Sequence, residues 1–280
     1  MKKILLTGSN SYIGKSFVKW LESNHSSSVI TVESLSVRNN EWLEKKFIKY
    51  DTIVHLAAIV HNPTASKELY YQVNRDLAFQ IAKKAKNDGV KQFIFFSTLS
   101  VYGLSQGIIN KNTPLNPKND YGKSKLQAEE EILALEDDTF KVVIVRPPIV
   151  YGPGSPGNFR KMLMFFEYLP VFLDIPNKRS MIYIDNLSYF LYLLIDNEER
   201  GIYIPQNAEY SSTYQIFLKY REKRKCFSLR IPHSFVDIIK KSSIGSKIFG
   251  DLVVNSNACH YKLPYQIVSF NESITSFRKV

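Results

Sequence analysis

The chain has 280 residues, of which 44% are hydrophobic and 22% charged, ordinary values for a globular protein with one large core or two smaller ones. Two cysteines, Cys226 and Cys259, are too few for a disulfide framework, no His/Cys cluster has metal-ligand spacing, and no apolar run approaches the ~20 residues of a membrane span, so a metal-free protein of a reducing cytoplasm is expected. The net charge of +11 is uneven: residues 211–280 hold 12 Lys+Arg against 4 Asp+Glu, focused on Arg221-Glu222-Lys223-Arg224-Lys225, and with no nucleic-acid-binding motif beside it this reads as a solvated helix end or, more sharply, as attraction to an anionic membrane surface or a polyphosphate.

The start, Met1-Lys2-Lys3-Ile4-Leu5-Leu6, has too short an apolar run for a signal peptide, and Lys3 to Leu6 predicts a buried strand. Ser9 to Gly14 is a turn opening a helix over about Lys15 to Ser23, with Phe17, Val18, Trp20 and Leu21 on its apolar stripe. Val29 to Val32 predicts a second strand ending at Glu33, and the apolar run Thr52 to Ala58 a third, buried on both faces. Residues 66–88 form a long helical pattern that Gly89 stops, followed by a strand from Gln92 to Phe96 with Ser97-Thr98 at its end. Residues 104–119 read as a loop, the next helix runs to about Leu135, and Val142 to Val145 is a further strand. Strands alternating with helices of this length predict an α/β fold with a doubly wound parallel sheet. Beyond Arg146 prolines and glycines cluster, as in Gly152-Pro153-Gly154-Ser155-Pro156-Gly157. The expected division is a nucleotide-binding domain over 1–150, rejoined by about 180–200, and a smaller, mainly substrate-binding region over 151–280.

Thr7-Gly8-Ser9-Asn10-Ser11-Tyr12-Ile13-Gly14 lies between a strand and a helix, where a dinucleotide pyrophosphate meets free helix N–H groups. Gly8 permits the tight turn and Gly14 close packing of helix on sheet, while Ser11 stands where a middle glycine is usual. Glu33 is placed to bind the adenine ribose hydroxyls and repel a 2′-phosphate, which favours NAD(H); Arg38 lies close enough in sequence to leave NADP(H) open.

Tyr121 and Lys125 are spaced i, i+4 in Asp120-Tyr121-Gly122-Lys123-Ser124-Lys125, so both share one helix face. A phenol beside an ammonium makes an acid/base for neutral pH, the lysine being expected to draw the tyrosine pKa down from its usual value near ~10.

Taken together, Thr7 to Gly14, Asp51 to Ala58, Phe96 to Gly103, Tyr121 to Lys125 and Arg146 to Gly154 occur in an order that resembles the extended short-chain dehydrogenases/reductases, the NAD-dependent epimerase/dehydratase enzymes of nucleotide sugars with a Rossmann sheet. The resemblance covers about residues 1–205. It implies that Thr98 bonds the sugar hydroxyl or ketone, that Tyr121 is the acid/base, and that Lys125 binds the nicotinamide ribose. It further implies cofactor contacts from Gly8, Ser11, Tyr12, Ile13, Gly14, Glu33, Leu56, Ala57, Ala58, Ser97 and Pro148, with Asn74 supporting the cleft. Residues 157–159 and 177–187 look like the substrate side of a bacterial surface-polysaccharide subgroup acting at C4 of UDP-N-acetylhexosamines. There Arg179 matches a diphosphate-binding arginine, Asn158 an asparagine near diphosphate or sugar, and His61 either lines the sugar pocket or has no role.

Two departures stand out. Ser11 replaces a glycine, and the short stretch from Glu33 to Asp51 must abbreviate a helix and a strand, with Ser36 unable to supply an adenine-side carboxylate. The expected reaction is hydride transfer at C4 of a UDP-sugar. Reduction of a UDP-4-keto-6-deoxy-N-acetylhexosamine is favoured, and a UDP-sugar 4-epimerase or a non-catalytic dinucleotide sensor are the alternatives. Leu99-Ser100 after Thr98, in place of Asp-Glu, disfavours a 4,6-dehydratase. The resemblance also suggests a homodimer packed through the 66–88 and 121–135 helices.

Overall fold

The computed structural model describes residues 1–25, 30–60, 62, 64–221, 227–258 and 261–276. In chain order the elements begin with β1 (Lys2–Thr7), α1 (Tyr12–Asn24), β2 (Ile30–Leu35), α2 (Glu41–Glu44), β3 (Thr52–His55), α3 (Lys67–Tyr71), a π-helical turn (Gln72–Leu77), α4 (Ala78–Asn87) and β4 (Gln92–Phe96). A 3-10 turn (Leu99–Tyr102), β5 (Gly107–Ile109), α5 (Asp120–Leu133), β6 (Lys141–Val145), β7 (Ile149–Tyr151), α6 (Asn158–Tyr168), β8 (Val171–Asp174) and β9 (Met181–Tyr183) follow. The chain continues through α7 (Ile184–Asp196), β10 (Gly201–Tyr203), α8 (Thr213–Arg221), β11 (Phe227–Arg230), α9 (His233–Lys241), α10 (Ser243–Phe249), β12 (Leu252–Val254) and α11 (Phe270–Thr275).

Two compact units emerge. The first comprises Met1–Gly103, Pro114–Pro147 and Ser188–Ile204, and holds a six-stranded parallel sheet in the order β10-β6-β4-β3-β1-β2. The order reverses at β1, which pairs with β2 on one side and β3 on the other. In an open α/β sheet that is where a ligand crevice forms, beyond the C-terminal ends of the strands. The strands are near-continuous apolar runs because helices cover both faces: Ile4 to Leu6, Ile53, Val54, Phe93 to Phe95 and Val142 to Val145 are all buried. Leu5, Ile53, Phe93 and Ile144 share one core with Trp42, Phe47, Ile81 and Phe140.

Several element boundaries differ from expectation. β2 runs on to Leu35, so Glu33 lies inside the strand rather than at its end. Between the end of β2 at Leu35 and the start of β3 at Thr52 the chain holds only the four-residue α2, and β2 becomes the sheet edge. The helix expected over 66–88 is α3 and α4 joined by the π turn, ending before Gly89, whose φ of 81° stops it. The return to the main sheet is made by β10, which pairs with β6 after the buried α7 segment.

The second unit comprises Leu104–Thr113, Pro148–Leu187 and Pro205–Val280. It is built on three two-stranded parallel ladders, β11-β8, β12-β5 and β7-β9. The loop expected over 104–119 therefore contributes a strand here, β5, pairing with β12. Among the described residues no helix is long and apolar enough to cross a membrane.

Gln92 joins three parts of the first unit. Its side chain is 1% exposed, accepts from Thr52 Oγ1 at 2.9 Å, and donates to the carbonyls of Leu194 and Glu199, both at 2.9 Å. Gln92→Leu removes all three bonds at once and takes the acceptor from the buried Thr52 hydroxyl, and a urea melt is expected to show a loss of about 3 kcal/mol with an unchanged denaturant slope.

Candidate active site

The glycine loop sits at the switch point. Gly8 has φ 73°, and a Cβ there would lie 2.6 Å from the Ala57 nitrogen and 2.8 Å from the Leu56 carbonyl carbon. Only glycine lets the turn after β1 lie against the end of β3, where Leu56 N donates to Thr7 O at 3.1 Å. Ser11 caps α1, its hydroxyl accepting from Gly14 N at 3.1 Å. It thus takes the N-cap role of a helix start, and the N–H groups of Tyr12 and Ile13 belong to the unbonded first turn. A pyrophosphate fits such a cradle of backbone donors.

Thr98 stands at the end of β4, and Tyr121 and Lys125 on α5. Several contacts seat α5 against the turn that follows Thr98. Asn119 caps the helix, accepting from Gly122 N at 2.8 Å. Gly122 lies so close that a Cβ would be 2.8 Å from Ser100 O. Further along, Glu129 is buried against Arg146, with Nη2 to Oε2 at 2.5 Å, and Arg146 Nη1 donates to the Tyr102 hydroxyl at 2.9 Å. Such a buried pair holds its elements firmly, since removing one partner strands the other charge at a cost of about 3–5 kcal/mol. The result is that the Thr98 hydroxyl hydrogen-bonds the Tyr121 phenol.

Asn74, expected to support the cleft, is fully buried in the π turn. Its amide closes on the backbone of Ile59, accepting from N at 2.8 Å and donating to O at 3.0 Å, and reaches Ser124 Oγ at 3.3 Å. Ser124 in turn donates to the Tyr121 carbonyl at 3.0 Å. One asparagine therefore ties the segment after Ala57-Ala58 to the catalytic candidate helix, and a π turn inserted in a helix is a common way to aim such a side chain.

Electrostatics departs from expectation. Tyr121 is 8% exposed, and desolvation pushes its phenol up to about 12, outweighing the lowering from Thr98; Lys125 is not among the groups that shift it. Lys125 is itself desolvated, 2% exposed, and pushed down to about 7, with Glu129 one turn away partly offsetting this. Its ammonium lies 3.9 Å from the Phe95 ring centroid, and it makes no hydrogen bond among the described residues. A lysine that is only partly charged near neutral pH exerts a weakened pull on the resting phenol. Next to it, His55 is fully buried and pushed down to about 3, chiefly by desolvation and then by Lys125. Neutral His55 shares a hydrogen bond with Thr7 Oγ1 at 2.9 Å, linking β3 to the glycine loop.

The residues present fit a dinucleotide. The α1 cradle suits its phosphates, while the unbonded Lys125 ammonium and the buried, unpartnered Ser97 Oγ are donors suited to ribose hydroxyls. Glu33 behaves differently from expectation: Lys45, Lys49 at 2.9 Å and the Tyr50 hydroxyl at 2.5 Å all hold its carboxylate, lowering it to about 2. It is engaged within the protein, and its two lysines weaken the repulsion of a 2′-phosphate.

The other sequence candidates lie in the second unit or beyond description. Pro148 opens the unit's second stretch and Asn158 begins α6. Arg179 donates from Nη2 to Ser246 O at 3.1 Å, its guanidinium shifted down by burial against the pull of Asp251. His61, Cys226, Cys259 and the run 222–225 are outside the described residues. Among the described residues no group of three or more His, Cys, Asp or Glu is placed to hold a metal. Sequence reading missed Gly122, Ser124, His55 and the Glu129–Arg146 pair; the i, i+4, i+8 row of Tyr121, Lys125 and Glu129 was the available signal for the last.

The NAD dependent epimerase/dehydratase family matches residues 4–204. A UDP-glucose 4-epimerase of Vibrio cholerae is 29% identical over 91% of this chain and 87% of its own. An N-acetyl-alpha-D-glucosaminyl-diphospho-ditrans,octacis-undecaprenol 4-epimerase of Escherichia coli O157:H7 is 31% identical over 59% of this chain, which spans about half of that relative (51%). Among solved structures, a UDP-glucuronic acid 4-epimerase from Bacillus cereus in complex with NAD shares the fold, with TM-score 0.72 and 18% identity over 99% of both chains.

The Lys125 shift has a stability signature. The penalty of burying its charge is full below the folded value of about 7 and is relieved as pH rises toward the unfolded value near ~10.4. Lys125→Met is expected to melt higher than the wild type at pH ~7, with the difference closing toward pH ~10. Parallel melting curves across that range would contradict the shift.

Proposed function

The chain belongs to the NAD dependent epimerase/dehydratase family, and from that premise we propose that it is a nicotinamide-dependent enzyme of C4 hydride chemistry on a UDP-N-acetylhexosamine, acting as a 4-ketoreductase. The observation that carries this reading is the neutral Tyr121 phenol, held up near 12 and hydrogen-bonded to Thr98. Reduction of a ketone needs a proton donor at the sugar oxygen, whereas epimerisation of an alcohol must begin with a base there. The first unit holds the dinucleotide on the α1 cradle, with Lys125 and Ser97 on the nicotinamide side. The family match at residues 157–159 and 177–187 assigns Asn158 and Arg179 to the UDP diphosphate.

A bound reduced nicotinamide supplies the hydride that reduces C4. Tyr121 gives its proton to O4 as negative charge develops, Thr98 donates to the same oxygen, and the phenol is reprotonated from solvent. The buried Lys125 ammonium, titrating near neutrality, is suited to stabilise the transient phenolate once Tyr121 has given up its proton. NAD(H) is favoured and NADP(H) accepted, in keeping with the pairing of Glu33 with Lys45 and Lys49.

A second reading, a UDP-sugar 4-epimerase, is favoured by the names of the two curated relatives, one of which acts on an undecaprenyl-linked sugar. The test incubates the protein with UDP-4-keto-6-deoxy-N-acetylglucosamine and NADH or NADPH, and separately with UDP-N-acetylglucosamine without added cofactor. Consumption of reduced nicotinamide with the keto sugar alone is expected, and Tyr121→Phe should slow it by about 10²–10⁴. Appearance of a second UDP-hexosamine without added cofactor would overturn the reductase in favour of the epimerase. Inactivity in both arms would move the fold to dinucleotide sensing.

A further inference from the structure

We propose that the second unit carries a membrane-docking face, formed by the outer surfaces of α6, β8 and β11, that rests on an anionic lipid surface. In the β8–β11 ladder Val171 lies opposite Phe227 and Leu173 opposite Leu229. The inward face of β8 is spoken for: Phe172 is buried, stacked on Phe217 at 4.7 Å and edge-on to Phe166 at 5.0 Å. The outward face is bare, with Phe227 69%, Leu229 54% and Val171 42% exposed. Helix α6 divides the same way. Leu163 and Phe166 are buried, while Met164, Phe165 and Tyr168 are 56%, 53% and 84% exposed. Only Leu169 and Pro170 separate Tyr168 from Val171, and Pro170 O accepts from Phe227 N at 2.8 Å, so the exposed end of α6 adjoins the start of both strands. Scattered exposed apolar residues are ordinary in a soluble protein, but a set on adjoining elements that includes two phenylalanines and a tyrosine marks an interaction surface.

Charge identifies the occupant. The second unit holds 17 Lys+Arg and 8 Asp+Glu, so +9 of the chain's +11 belongs to it. Exposed Arg160 and Lys161 stand on the same helix as Met164 and Phe165, and Arg230, its side chain 89% exposed although its Nε lies 3.7 Å from Asp174 Oδ2, follows Leu229. Apolar and aromatic side chains with cations around them are the composition of a surface that dips into the headgroup layer of an anionic leaflet. A second copy of the chain would bring one unit of net charge +9 against another, a like-charge approach that disfavours self-association through this unit.

The test is co-sedimentation of the full chain with phosphatidylcholine vesicles, with and without phosphatidylglycerol, at low salt and at ~1 M salt, where the Debye length is about 3 Å. Binding is expected to the phosphatidylglycerol vesicles only, and to be largely lost at high salt. Phe165→Ser combined with Phe227→Ser should weaken it at least about tenfold, and Arg160→Gln combined with Lys161→Gln by about fivefold per cation. Thermal melts establish that both variants remain folded. No binding at low salt would overturn the proposal, as would equal binding to both vesicle types or binding that the phenylalanine variant leaves intact. Concentration-dependent self-association of the wild type that this variant abolishes would assign the face to a second copy instead.

Discussion

Desolvation of Lys125 is the constraint around which the first unit is arranged. Helix α5 buries an ammonium, a carboxylate and a phenol on one face, and each needs a different form of compensation. Glu129 receives a full counter-ion in Arg146. Lys125 receives only the π face of Phe95 and the distant pull of Glu129, and settles near neutrality. Tyr121 keeps its proton and leans on Thr98. His55, next to the same ammonium, stays neutral and turns to Thr7. A site so poor in fixed charge favours proton transfer at oxygen without committing a permanent anion to the interior.

Holding these groups within reach of one another requires close backbone approach, and small or amide side chains provide it. Gly8 lets the first turn touch the end of β3, and Gly122 lets α5 touch the turn after Thr98. Asn74 satisfies both backbone groups of Ile59 while reaching Ser124, so the loop after β3 and the helix bearing Tyr121 move as one. These contacts lie on different segments brought together by the parallel sheet, and the strand order places them all beyond the C-terminal ends of β1, β3 and β4.

Much of this architecture is legible in the amino-acid order. Residues 93–96 and 142–145 are unbroken apolar runs bounded by polar or turn residues, and the i, i+4 spacing of Tyr121 and Lys125 places them on one helix face. What spacing could not convey was burial. Local sequence pairs a phenol with an ammonium and suggests a lowered tyrosine pKa; the fold then removes water from both, and the sign reverses. Glu33 shows the same limit, since its partners Lys45, Lys49 and Tyr50 come from the abbreviated segment whose path no periodicity records. The ladder of β5 with β12 was illegible for a related reason: a three-residue strand within a polar loop carries too short a pattern to distinguish it from a turn.

The proposed reduction turns on Tyr121 being a neutral donor. The most direct measurement is a titration of the tyrosine ring carbons by NMR, with Tyr121→Phe identifying the resonance. The Tyr121 signal is expected to keep its protonated shift past pH ~10, where an ordinary tyrosine ionises. A phenolate shift for Tyr121 near neutral pH would contradict it and make this residue a base rather than an acid.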